Sequence, residues 1–541
     1  LENKKTLVNR ERALPVMGVT DNRHRDVNWH KQRLPAGNFR LAAKCESRKD
    51  SPSRRNQWNG NGRSEQLIFA RNVNSMKVRE GYTVSDFAVR RAMVLSAAGV
   101  LMPDVAQSAE KSLSPKSDEG ITLIDPPDSQ RTTHVRYSLR IKGQLSTPSA
   151  AGATDWDLNS SATFEFDQRR FASDSIGQFG FRAVRRFQQA ETTSKVGKEH
   201  ENEVSLPQQS RLIQVYGSEL QLVQLSPDVR LTRSQIDLLQ FPCDPLAVTG
   251  LLPDRSLRDG KEKWNADVWV VAMLSGIDAV VTQSATCELK SLSVEEAVVL
   301  FECQGTGAIT GSSTTVSISG EMVIDRRQSV IKRLKAVMKE KRTPGTVSPG
   351  LDVVADIEWT QGIAKPATDL PETMPDAMPD ERRLLLTLAT HWRVLLLHNR
   401  SWHVFHETSE LVMLRMLHNG ALLAQCNIAS APLMAAGKFT IEQDYLADVE
   451  RAIKDRAGRI VASNVTPDQN GWRIHHVQAT GEANKKTLIW DYFLCSTKSG
   501  EQISLVFSHA EEDSRSFTGV PDQMLQSLTI RSVRPKIALP R

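Results

Sequence analysis

The chain has 541 residues, 40% of them hydrophobic and 24% charged, with a mean hydropathy of −0.36. This composition excludes collagen-like and wholly disordered chains, and the length allows about two to four domains. No run approaches the roughly 20 apolar residues of a membrane-spanning helix. The formal net charge is +6, but residues 1–75 carry 16 Lys/Arg against 7 Asp/Glu and residues 76–109 carry 4 against 3, which leaves 110–541 at net −4. The main body therefore gives no support for nucleic-acid binding.

Residues 1–75 are rich in Asn, Arg, Ser and Gly, without a sustained apolar period, and are expected to be disordered. From Met76 the pattern changes. Lys77, Arg79, Arg90 and Arg91 precede the apolar run Ala92–Met102, and the small residues Val105–Ala109 follow Pro103. Cationic, apolar and small-residue segments in that order make residues 76–109 a secretory signal, with translation starting near Met76 and 1–75 lying upstream. The competing reading is a short amphipathic or buried helix of a cytosolic protein. Arg90-Arg91 also resembles a twin-arginine export signal. The protein is expected in the periplasm, cell envelope or extracellular space.

Five of the six cysteines lie beyond the leader, and no Cys/His spacing suits zinc. In a tight hairpin about residues 294–296, Cys287 would face Cys303. A cross-strand disulfide and two buried thiols both satisfy that spacing.

From about 120 to 362 a period of two dominates. In His134–Lys142 the apolar residues are Val135, Tyr137, Leu139 and Ile141, and every intervening residue is polar. This predicts an antiparallel strand with one dry and one wet face. Ala162/Phe164/Phe166 and Val316/Ile318/Gly320/Met322/Ile324 repeat the pattern, and residues 212–216 and 220–225 read as a hairpin about Gly217-Ser218. Helices are expected at 233–240, capped by Thr232, and at 265–274. The expectation is a large curved antiparallel sheet that in shape resembles half-barrel lipoprotein carriers. Arg182, Arg185 and Arg186 are expected on a solvated strand face.

Residues 363–382 contain four prolines between Lys365 and Asp380 and are expected to be a stiff spacer. Residues 383–532 then read as an α+β module. It comprises a strand at 392–397, a hairpin about Asn419-Gly420, a helix with Ile441, Tyr445, Val449 and Ile453 on one face, and strands at 472–479, 487–495 and 502–507. Thr440 with Gln443 is expected to cap that helix. This order, with Trp490-Asp491-Tyr492-Phe493, Ile503–Phe507 and the closing Met524–Leu528, resembles the PsbP-like α/β sandwich family. It also resembles exported planctomycete proteins of unknown function. The resemblance implies a small structural or assembly factor and carries no catalytic residues. The whole is thus expected to be α+β, mostly antiparallel β.

Gly305–Gly311 invites a nucleotide reading, but no helix follows to present free N–H groups to a phosphate. His403/His406 and His475/His476 each point to opposite faces of a strand, so only ligands from different strands, such as His403 with His476, would chelate. Asp155, Asp157, Glu321 and Asp491 form no local carboxylate pair. The tryptophans, among them Trp264, Trp402, Trp472 and Trp490, are expected in cores. No catalytic, cofactor or metal residue is assigned. The expected function is exported, non-enzymatic binding or scaffolding of a protein or cell-envelope component. The alternatives are a carrier of lipid or another apolar ligand in the curved sheet, and a hydrolase with an interdomain site.

Overall fold

A computed structural model describes residues 120–530, except 150–151, 173–180, 199, 218–220, 259–261, 268, 366–368, 378 and 484. The expected leader, its start site and its export signal lie outside the described residues.

The N-terminal domain is one antiparallel twelve-stranded sheet. From its centre the chain lays down β1 (Thr132–Ser149), β2 (Gly152–Phe171) and β3 (Arg182–Val196). β4 (His200–Ser205) and β5 (Leu212–Gly217) pair with different stretches of β3, and β6 (Leu222–Leu225) ends that edge. β7 (Lys263–Asn265) and β8 (Ala279–Leu292) form the opposite edge. The chain returns through β9 (Glu296–Ile309), β10 (Ser312–Asp325) and β11 (Val330–Arg342) to β12 (Gly350–Ala364), which pairs with β1. This topology forces a crossing from edge to edge. The crossing segment carries α1 (Arg233–Leu239) and α2 (Pro245–Val248), and α3 (Trp269–Ser275) follows β7. Laid flat, the sheet would span roughly 50 Å. A single hydrophobic cluster nevertheless joins Ile213 of β5, Leu289 of β8 and the crossover, so the sheet curls around its own crossover.

The alternation read from His134–Lys142 holds: Val135, Tyr137, Leu139 and Ile141 are buried, and Arg136, Ser138, Arg140 and Lys142 are exposed. On the wet face, acidic β12 lies between basic β1 and β11. Arg140 of β1 stands opposite Asp356 of β12, and Lys335 of β11 lies 2.9 Å from Glu358 of β12. Such cross-strand pairs favour one register over its slipped neighbours. Gly305 and Gly307 belong to β9, not to a phosphate loop. A Cβ on Gly305 would lie 2.9 Å from Val271 Cγ1, so glycine lets α3 approach the sheet.

Cys287 and Cys303 do not face each other. The hairpin closes with Leu292 opposite Ala297, and Lys290 is bulged, which sets Cys287 opposite Phe301 and Cys303 opposite Ala285. Both thiols are free and buried, and burial pushes each up to about 12. Native alkylation at neutral pH is therefore expected to leave Cys243, Cys287, Cys303, Cys426 and Cys495 unmodified, and denaturing urea to expose all five. Peptide mass spectrometry reads the outcome; rapid native labelling of Cys287 or Cys303 would contradict this burial.

The C-terminal domain begins with β13 (Leu386–Ala389) and β14 (Val394–His398), which form a small sheet with the last strand, β22 (Thr529–Ile530). Between them run β15 (Trp402–Glu407), β16 (Leu411–His418), β17 (Ala421–Ala431), α4 (Glu442–Ile453), β18 (Arg459–Gln469), β19 (Trp472–Ala483), β20 (Lys486–Thr497) and β21 (Gln502–Ala510). The helices α5 (Ser514–Phe517) and α6 (Val520–Gln526) precede β22. The main sheet has the order β15-β16-β17-β21-β20-β19-β18. Tyr445, Val449 and Ile453 of α4 pack on one face against Val477, Ala479 and Trp490. Phe517, Met524 and Leu525 pack on the other with Trp402, Phe493 and Phe507.

Two helix starts differ from the sequence expectation. Ile441, not Thr440, is the N-cap of α4, because the Thr440 hydroxyl donates to Gln502 Oε1 instead (2.9 Å). Asn265 lies in β7, so the helix expected from 265 begins at Trp269.

Residues 363–382 do not stand clear of the sheet. Leu370 and Met374 are buried against Phe171, Val184, Tyr216 and Leu225. Arg169 donates to the Pro371 carbonyl (3.0 Å) and Arg182 to that of Met374 (3.2 Å). Arg182 also pairs with Asp376, and Arg186 with Asp369. The segment is a strap, held by two of the arginines expected in solvent.

The domains also meet directly. The Thr387 N–H donates to the Leu231 carbonyl (2.8 Å), and Leu386 joins the first domain's core. At a second point the β9–β10 turn abuts the β16–β17 turn. Gly311 has φ +77°, and a Cβ there would collide with the Gly420 carbonyl oxygen. Gly311→Ala is expected to cost about 1–3 kcal/mol. Gly437→Ala isolates the backbone cost, since Gly437 has φ +75° and open space around its Cβ position. Equal thermal shifts in the two variants would remove the turn-to-turn contact from the account.

Candidate functional site: the clamped crossover

The sheet's dry face is occupied by the crossover, and the fixing point is Phe241-Pro242-Cys243-Asp244-Pro245. Phe241 packs against Phe164 (4.6 Å between ring centres) and Tyr137 (4.7 Å). Tyr137 Oη donates to the Pro242 carbonyl (2.6 Å), and Trp359 Nε1 donates to that of Cys243 (3.1 Å). Cys243 takes the left-handed conformation, φ 50°, and its N–H donates to the Leu274 carbonyl (3.0 Å). Strand residues thus hold an unusual turn by its main chain, whose polar groups would otherwise be unpaired in an apolar interior.

Asp244 completes the clamp. Its carboxylate caps α2 through the Leu246 N–H (2.9 Å) and accepts two bonds from Arg185 (2.7 and 2.5 Å). Arg185 has no exposed surface. Its Nε donates to Gln168 Oε1 (2.8 Å), and its guanidinium lies 4.9 Å from the centre of the Phe166 ring. The planar fork of arginine matches a carboxylate in this way, and the buried pair is fully hydrogen-bonded. The expected solvated position of Arg185 is overturned. Its alternation with Ala183 and Phe187 on β3 was the available signal, because both neighbours belong to the dry core. Burial pushes the Tyr137 hydroxyl well above its ordinary range, and Cys243 and Asp244 add to the effect; it remains a donor.

The C-terminal domain brings together His476, Asp491 and His509, which lie far apart in sequence. Asp491 Oδ1 accepts from Gln478 (3.0 Å) and lies 2.9 Å from His476 Nε2. His476 stacks on Phe493 at 4.2 Å. His509 Nε2 lies 3.3 Å from Ser514 Oγ. A closer serine–histidine approach is Ser463 Oγ to His475 Nε2 at 3.0 Å, but His475 Nδ1 has no hydrogen-bond partner, and Ser514 Oγ donates to the Glu511 carbonyl (2.7 Å). His509 Nδ1 has no hydrogen-bond partner, so no third group orients the ring as acyl transfer requires. His403 and His476 stand on β15 and β19, five places apart in the sheet order, or roughly 24 Å, and do not share a ligand. Among the described residues no cluster of three His, Cys, Asp or Glu is arranged to hold a metal ion.

On the wet face of the N-terminal sheet a shallow pit of about 380 Å³ is bordered by Arg136, Ser138, Thr163, Glu165, Gln189, Glu358 and Thr360. Arg136 already pairs with Glu165 (3.0 Å) and Lys335 with Glu358 (2.9 Å).

No family model matches the sequence, and no curated protein does. Among solved structures, a protein of unknown function from Pseudomonas aeruginosa, PA94, described as a putative regulator, is similar at 13% identity, over 28% of this chain and 99% of that one, with a TM-score of 0.20. A mutant porin of Rh. blastica is similar at 8% identity, over 70% of this chain and 99% of that one, with a TM-score of 0.10. OccAB2 of Acinetobacter baumannii follows at 7% identity, over 72% of this chain and 99% of that one, with a TM-score of 0.11. Superpositions this loose assign neither fold nor function; what stands is a mostly antiparallel β protein with one large sheet and two smaller ones.

Proposed function

We propose that this is an exported, non-enzymatic binding or scaffolding protein whose two domains act as one rigid body toward a protein or cell-envelope partner. The observation that carries this reading is the use of apolar surface: the large N-terminal sheet covers its dry face with its own crossover, and the main C-terminal sheet covers both faces with its own helices. Strap and turn contacts join the domains, so the wet face of the N-terminal sheet is left for recognition. The C-terminal domain is read as a PsbP-like sandwich, supported by its hairpin–helix–strand order and by helices on both faces of the sheet. Among the described residues no helix is long and apolar enough to cross a membrane.

The carrier reading has one specific support. The crossover rests on an aromatic floor of Tyr137, Phe164, Phe166 and Trp359 and is pinned chiefly at residues 242–244. An apolar ligand would have to displace it. Native mass spectrometry of the full chain purified from its own source without detergent separates the readings. Protein adducts support scaffolding, lipid masses support carriage, and turnover in an ester and amide hydrolysis screen overturns both.

A further inference from the structure

At the joint between the domains, arginines are held by main-chain oxygens. Arg233 of α1 donates to the Arg400 carbonyl (2.9 Å). Arg400 donates to the carbonyls of Leu384 (3.1 Å) and Gln224 (2.6 Å), and Arg230 to that of Arg383 (3.4 Å). His398, the last residue of β14, has no exposed surface. Its Nδ1 lies 2.8 Å from the Asn399 carbonyl oxygen, and its Nε2 has no hydrogen-bond partner. A carbonyl only accepts, so Nδ1 carries the proton and Nε2 keeps a bare lone pair. The charged groups around the joint are Arg230, Arg233 and Asp237 from the N-terminal domain and Arg383 and Arg400 from the C-terminal side. The acid among them, Asp237, is held by Arg233 (2.9 Å). β6, β13 and the end of α6 bring uncharged Gln224, Leu386 and Ser527.

We propose that this joint is an acid-sensitive latch, in which a proton on His398 Nε2 places a further buried cation near Arg233 and frees the C-terminal domain from the N-terminal one. Burial, opposed by the Asn399 carbonyl and reinforced by Arg233, lowers His398 from 6.5 to about 4 in the closed joint. Once released, the ring titrates near its ordinary value. The closed joint keeps its full stability above about pH 6.5, loses it as the pH falls toward about 4, and loses no more below that. The open-to-closed ratio is expected to be about 30-fold higher at about pH 5 than at about pH 7.5.

Small-angle X-ray scattering and far-UV circular dichroism of the full chain test this. On acidification across that window the wild type is expected to expand with unchanged strand signal, and His398→Gln, which takes up no proton, is expected to stay compact. Wild type that stays compact, or His398→Gln that opens at the same pH, overturns the latch. Should His398→Gln fail to fold, hydrogen exchange of the wild type decides. Protection lost selectively at residues 224–240 and 384–400, with β9–β11 still protected after correction for intrinsic rates, supports the latch. Uniform loss overturns it.

Discussion

Arg185→Met is expected to destabilise the N-terminal domain by about 3–5 kcal/mol, because it leaves the Asp244 carboxylate buried without its cation. Methionine nearly preserves the apolar stem against Phe166 and Phe241, so the loss reports charge and hydrogen bonding more than packing. Asp244→Asn should cost less, since an asparagine oxygen still caps α2 at Leu246 N–H. Equilibrium urea unfolding of the full chain measures both variants. A loss below about 1 kcal/mol for Arg185→Met would show that the clamp contributes little and that hydrophobic burial alone holds the crossover.

The second buried pair should respond in the opposite way when both members are replaced. Glu340 and Arg342 lie together on the dry face of β11, with 2% and 7% of their surface exposed, and they are ion-paired. Unlike Arg185 with Asp244, this pair is poorly satisfied. Neither Glu340 oxygen nor Arg342 Nε has a hydrogen-bond partner of good geometry. Burial raises the Glu340 carboxyl above its ordinary value, although Arg342 opposes the shift. A raised carboxyl contributes stability that is present below the unfolded value and lost as pH rises through the folded one. The pair is therefore less favourable at neutral pH than in acid. Glu340→Leu alone strands Arg342 and is expected to cost about 3–5 kcal/mol, whereas Glu340→Leu with Arg342→Met should be neutral or stabilising by about 1–4 kcal/mol. A double variant as unstable as the sum of the single ones would mean that the pair is well solvated or has partners.

How far the sequence reached depended on whether a residue's surroundings were local. Alternation in His134–Lys142 gave strand and facing together, because a pleat has period two and one wet face. Thr232 was legible as a cap, and its box with Gln235 forms. Thr440 carried the same local signature, yet Gln502, more than sixty residues away, takes its hydroxyl. β18 left no sequence signal, since an edge strand with most residues exposed shows no alternation. The cysteine pairing failed for a similarly small reason: the turn closes one residue off the expected register and the bulged Lys290 adds a second, neither leaving a mark on hydrophobicity.

The sequence by itself determined the strand-rich, mostly antiparallel class and the acidic balance of residues 110–541 once the first 109 were set aside. These follow from periodicity and composition, which are properties of neighbouring residues. Tertiary structure alone decided that the proline segment is a strap, that Arg185 is a buried anchor, and that His476 meets Asp491. Each depends on partners brought close by sheet curvature or strand order, and electrostatic pairing across such distances leaves no period in the chain.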